Sequence, residues 1–211
     1  MVEERESLRD RRRAETQRAV QREAMRLFAE QGYDATTVAQ VAEAAGVSAM
    51  TVYRHFPTKE DLVLWDEYDR LVAEHIRAQP ADAPTARRIG RALVEAARAI
   101  AGPAGHTPGN APGGGPAGDG AFLLARLRLM VTTPALRARH WDSQFATQTA
   151  IVEALRDGPP DPERDFASWA AAGACQAAMN AALERWAAED GRSDLPALIE
   201  RGLAAAFGEA P

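Results

Sequence analysis

From Thr37 to Phe56 the chain carries two short segments with apolar residues at helical spacing, separated only by Ala45-Gly46-Val47. Val38, Val41 and Ala42 face inward from the first segment, and Val52 and Phe56 from the second. Two helices that must turn sharply within three or four residues need a corner without a Cβ, and Gly46 supplies it. The spacing is that of a helix-turn-helix. An αα-hairpin inside an enzyme has the same spacing, so the pattern constrains the fold before it constrains the function.

The rest of the chain reads as helix too. β-branched residues are scattered, alternation is never sustained, and Ala, Arg, Leu and Glu dominate. The fold class expected is all-α, with about nine helical segments. Val20, Ala24, Leu27 and Phe28 mark the first, which stops at Gly32, suited to a left-handed C-cap. Thr37 opens the second, ending near Ala44, and Ser48 opens the third, closed by Pro57. Thr58 with Asp61 approximates a capping box and starts one helix running to about Ala78. Further helices are expected at Thr85 to Ile100, Ala121 to Val131, Pro134 to Asp157, Pro162 to Glu189 and Leu195 to Phe207. Gly and Pro dominate Gly102 to Gly120, which reads as a mobile loop. Two domains are expected, 1-57 and 58-211, joined by a packed boundary near Thr58 without a spacer.

Of 211 residues 46% are apolar, enough for a real core. The net charge of -5 argues against a chain that coats phosphates along its whole surface, so any contact with nucleic acid must come from local clustering. The single cysteine, Cys175, excludes an internal disulfide and fits a reducing compartment. No secretory segment or long apolar run is present, and a cytoplasmic location is expected. His55, His75, His106 and His140 lack helical metal-ligand spacings, and Gly113 to Gly115 lacks the Gly-Lys-Ser/Thr of a phosphate loop. No metal, cofactor or enzymatic activity is expected.

The longer string FAEQGYDATTVAQVAEAAGVSAMTVYRHFPTKEDL, Phe28 to Leu62, resembles the N-terminal DNA-binding segment of the TetR family. The resemblance lies in Gly32 to Thr37, Ala42 to Ser48 and Thr51 to Phe56. It implies a homodimeric transcription regulator, most commonly a repressor that leaves a near-palindromic operator in double-stranded DNA when a small effector binds. Thr37 and Ser48 can cap helix N-termini or meet a phosphate there. The family's pattern further implies DNA contacts from Thr51, Tyr53, Arg54, His55 and Lys59. Phe56 is assigned to the core and Tyr53 to the boundary, its hydroxyl toward DNA. Arg11, Arg12 and Arg13 are expected ahead of the first helix, either as a basic arm or as a solvated charge run. Where many members have a polar or basic residue followed by Gly, this chain has Ala49 and Met50, which can pack on a thymine methyl but cannot make bidentate bonds to a base.

In Phe166 to Leu183 the helix is apolar or small nearly all round, so it is buried on more than one side. Ala170, Ala174, Ala177 and Ala181 form one stripe, and with Leu195, Leu198, Ile199, Leu203 and Phe207 they make an expected dimer interface. Trp169, Gln176 and Asn180 lie on a neighbouring stripe, where the two amides need either an internal network or a ligand. An effector cavity is expected among Tyr68, Leu71, His75, Phe122, Arg126, Met130, Trp141, Gln144, Phe145, Gln148, Trp169, Gln176 and Asn180. Arg126 to Arg139 is similar to a subset of the family that includes mycofactocin-type regulators, which implies a hydrophobic or acyl-CoA-like effector. The Gly102 to Gly120 loop is expected to gate entry or to be an inert insertion. The alternative left open is a helical small-molecule binding or catalytic protein without DNA binding.

Overall fold

A computed structural model describes residues 8-65, 68-101, 120-159 and 161-208, without the side chains of Leu8, Asp10, Arg11, Ala101 and Trp141. Among them are ten helices: α1 (Leu8–Gln31), α2 (Val38–Ala44), α3 (Ala49–His55), α4 (Asp61–Leu64), α5 (Tyr68–Ala78), α6 (Thr85–Ala101), α7 (Gly120–Thr132), α8 (Pro134–Leu155), α9 (Pro162–Ala188) and α10 (Leu195–Phe207). No strand occurs among the described residues. The tenth helix arises because the single helix expected from Thr58 to Ala78 is interrupted. Trp65 turns extended (φ -65°, ψ 130°) and ends α4, although Thr58 and Asp61 form the reciprocal backbone bonds of the expected capping box. The Gly102 to Gly120 loop lies outside the described residues apart from Gly120, which opens α7.

Local chemistry sets the ends of the early helices. Gly32 and Gly46 sit at φ +89° and +66°, where an L side chain is strained. The Thr37 N–H donates to the Gln40 side-chain oxygen at 2.8 Å, and the Gln40 N–H donates to Thr37 Oγ1 at 3.2 Å. Ser48 caps α3 by accepting from the Thr51 N–H at 3.0 Å. Arg12 and Arg13 do not precede the first helix. Good helix formers with no break before them let α1 begin at Leu8, so both arginines ride on its first turns.

Two apolar cores follow. The first joins Val20, Ala24 and Phe28 of α1 with Val41, Val52, Phe56, and Leu62 and Val63 of α4. Leu136 of α8 enters the same core, so the expected boundary at residue 57 falls inside a continuous joint. The second is built by α5, α6, α8, α9 and α10 around Ile76, Ile89, Leu93, Ile151, Cys175 and Ile199. There α10 lies so close to α9 that a Cβ on Gly202 would stand 2.9 Å from the Ala178 carbonyl oxygen. No helix of the described residues is long and apolar enough to cross a membrane.

Candidate nucleic-acid interface and helical cavity

The exposed side of α3 follows from its buried side. Val52 and Phe56 are sealed in the core, which turns Tyr53 and Arg54 outward, Tyr53 being 49% exposed. Met50 at 76% is the most exposed large apolar side chain described, and Ala49 is half-buried beside it. Thr51 shares a 2.9 Å hydrogen bond with Ser48 Oγ, so both hydroxyls already serve the cap. Lys59 is held back as well. Its Nζ lies 4.2 Å from the centre of the Tyr33 ring and donates to the Asp34 carbonyl at 3.5 Å. Tyr33 in turn donates to Glu60 Oε1 at 3.2 Å, and burial together with that carboxylate pushes its phenol above the ordinary range.

Tertiary structure supplies the positive cluster that the net charge hid. His55 ends α3 with its Nδ1 buried and without a hydrogen-bond partner among the described residues. Burial first, then the positive charges of Arg54 and Arg13, lower its pKa below the usual 6.5. Arg13 on α1 is therefore close enough to α3 for its field to be felt, so that the charges of Arg54 and Arg13 both bear on the His55 imidazole. Because the unfolded chain binds a proton near pH 6.5 and the folded chain only below it, this group's contribution to stability is complete above 6.5 and is lost as pH falls. His55→Gln should therefore lose less melting temperature than the unaltered protein between pH 7.5 and pH 5.5, at about one unit either side of the ordinary histidine pKa. Equal losses in paired scans would remove His55 from the acid response.

The second feature is a cavity of about 90 Å³ where α4, α5, α7, α8 and α9 meet. Tyr68, Arg126, Met130, Gln144, Gln176 and Asn180, all expected at an effector site, line it. Gln176 Nε2 donates to the Gln144 carbonyl at 3.1 Å, so this amide is both networked and cavity-facing. His140, a 2.8 Å neighbour of Gln144, lines the cavity too, as do Asp69, Ser143 and Thr147 on the polar side and Leu64, Leu123, Leu127 and Met179 on the apolar side. Sequence reasoning missed these. The signal available was that His140, Gln144 and Thr147 recur at helical spacing on α8 beside Ser143.

Other expected cavity residues sit elsewhere. Leu71 packs against the larger core, His75 is half-buried on α5, and Phe122 packs against the N-terminal core. Gln148 donates to the Trp169 carbonyl at 2.8 Å. Phe145 is 65% exposed with its ring 5.4 Å from that of Trp169, while the Trp141 side chain is outside the described residues. For the dimer, Ala170, Ala174, Ala177 and Ala181 are all exposed, and Phe166, 71% exposed, extends the same stripe. Leu195, Leu198, Ile199 and Leu203 are not on that surface. They are buried in their own chain's core, because α10 turns its apolar face onto α9 and α6, and only Phe207 stays exposed. Among the described residues no three His, Cys, Asp or Glu side chains gather as a metal site.

Residues 22-64 match a family model described as bacterial regulatory proteins, tetR family, and residues 114-207 match one described as the MftR C-terminal domain. The chain is 32% identical over 165 residues to the HTH-type transcriptional regulator TcmR of Streptomyces glaucescens, covering 75% of this chain and 67% of that one. It is 46% identical over 55 residues to the HTH-type transcriptional repressor ComR of Escherichia coli (strain K12), covering 25% of this chain and 26% of that one. Among solved structures, Thermus thermophilus FadR, a transcriptional repressor in complex with lauroyl-CoA, has a TM-score of 0.50 at 24% identity. That likeness covers 90% of this chain and 93% of the other. The fatty acid degradation regulator FadR from Bacillus halodurans also has a TM-score of 0.50, at 17% identity, covering 92% and 95%. At these identities the structural likeness shows the fold.

Proposed function

We propose, from the premise that this chain belongs to the TetR family of bacterial regulatory proteins, that it is a homodimeric repressor released from a near-palindromic operator by a small-molecule effector. The observation that carries this reading is the outward face of the capped α3, with Tyr53 and Arg54 exposed beside His55 and Arg13. A helix capped at its N-terminus and basic at its exposed end suits the major groove, with phosphates on either side. Thr37, Ser48, Thr51 and Lys59 would then share their existing partners with phosphates, and Arg12 and Arg13 would follow the backbone from α1. Ala49 and Met50 leave apolar contact and DNA shape to provide sequence preference.

Two recognition helices need a second copy. We assign the stripe Phe166, Ala170, Ala174, Ala177 and Ala181 to it, with Phe145 and Phe207 at its margins, since an exposed apolar stripe of this length is otherwise left in water. Residues 1-57 would bind DNA and 58-211 would bind effector and partner, with α4 shared between them. The cavity is read as a regulatory site rather than a catalytic one, and the protein as acting in the cytoplasm, where its DNA is.

For the effector, an acyl-CoA-like compound is supported by the lauroyl-CoA held by the Thermus protein. Ligand pockets for such compounds run to about 300–1,000 Å³. We read the cavity, at about 90 Å³, as the closed form of that site. An effector of that size must part α5, α7 and α8 to enter, and this parting is what would move the recognition helices.

The test is retardation of a palindromic fragment from beside the protein's own gene, with affinity falling steeply as salt rises. Tyr53→Phe should weaken that binding by about tenfold, near 1.4 kcal/mol, with the melting temperature unchanged, since the ring stays and only an exposed hydroxyl is lost. No retardation of any genomic fragment at low salt would overturn the reading.

A further inference from the structure

Arg126 is a buried cation on α7 whose guanidinium donates to two carbonyl oxygens of α4: Nε to Val63 at 2.7 Å and Nη2 to Leu64 at 3.3 Å. These are the last carbonyls of α4, groups that a helix leaves without partners and where its dipole favours positive charge. On the other side Gln21 of α1, also buried, donates its side-chain Nε2–H to the next carbonyl, that of Trp65, at 2.7 Å. The Trp65 indole then meets the Phe56 ring edge-on, at 6.0 Å and 90°, and Phe56 is the residue that ends the recognition helix. Three successive carbonyls are thus gripped, two from the cavity side and one from the DNA-binding side. Arg126 also lines the cavity.

We infer that Arg126 is the positioning residue that couples the cavity to the recognition helix, and that an effective ligand is one that offers a carbonyl or carboxylate oxygen to it. This deepens the regulatory reading above and rests on it. A guanidinium has donors only, in a rigid fork, so an occupant weakens its grip on α4 by supplying acceptors. A hydrocarbon filling the same space leaves the fork in place. Lysine keeps the charge but loses the two-point geometry, which makes the fork separable from the charge.

The experiment uses the full-length dimer without any effector, comparing the unaltered protein with Arg126→Lys, Arg126→Met, Gln21→Met and the double variant Gln21→Met with Arg126→Lys. Operator retardation and amide hydrogen exchange are read on each. Arg126→Met should weaken operator binding at least tenfold and Arg126→Lys by less. Exchange should quicken in α4 and in Val52 to Phe56 while α9 and α10 keep their protection. The losses from Gln21→Met and Arg126→Lys should be non-additive, since both grip one element.

Exchange at Val52 to Phe56 that does not differ from the unaltered protein, in a folded variant, overturns the coupling, as do strictly additive losses. Should Arg126→Met fail to fold, Arg126→Lys and Gln21→Met carry the same comparison. If the unaltered protein retards no DNA, the regulatory reading fails, and the exchange pattern alone decides whether the grip reaches α3.

Discussion

Phe56→Ala should lower the stability of the N-terminal unit by about 3–5 kcal/mol and abolish operator retardation. The ring is 1% exposed, ends α3 and stands edge-on to Trp65, so truncation leaves a void at the point where the recognition helix meets the joint to the rest of the molecule. Little can collapse into it, because Trp65 is held by its carbonyl to Gln21 and α3 is held by the Ser48 cap. The two cores are largely separate, so the loss should fall on the first of two transitions in a denaturant titration and leave the second nearly in place. Phe56→Leu should recover most of it. A cost below about 1 kcal/mol would mean that the N-terminal unit repacks freely, contrary to the close packing expected of such cores.

Gly202→Val should be the second large effect, a loss of about 3 kcal/mol from the helical bundle. Helix propensity argues the other way, since glycine inside a helix costs about 1 kcal/mol against alanine. Contact geometry decides the sign. A Cβ at 202 meets the Ala178 carbonyl oxygen at 2.9 Å, and because that atom is backbone no side-chain rotation can relieve it. α10 would have to lift from α9, opening the core around Leu198, Ile199 and Leu203 and disturbing the stripe beside it. Thermal melting with size-exclusion chromatography reads both consequences. A higher melting temperature with the dimer intact would show that α10 slides without cost.

The helix-turn-helix was legible because its determinants are close in the chain. Thr37 finds Gln40, Ser48 finds the Thr51 N–H, and Gly32 and Gly46 take the left-handed conformation that lets the chain turn. Spacing three puts Tyr53 and Phe56 on one side of a short helix, yet Phe56 is buried and Tyr53 half exposed, a difference that packing and not spacing decides. The cavity was only partly legible. Gln144, Gln176 and Asn180 were expected there, whereas Phe145 and Gln148 from the same helix as Gln144 point elsewhere. An apolar or amide-bearing stripe says that a face is covered, and does not say by what.

For the same reason Leu195, Leu198, Ile199 and Leu203 are spent inside the protomer instead of at its partner. Sequence by itself determined the helical class and the caps, because backbone groups within four residues of one another settle those, while the DNA-reading segment was legible through its resemblance to a family. Tertiary structure alone decided that Trp65 breaks the helix after α4, that Arg13 comes within reach of His55, and that Arg126 and Gln21 hold the carbonyls between them. The last two join residues more than forty positions apart, where packing of whole helices, and no local preference, sets who meets whom.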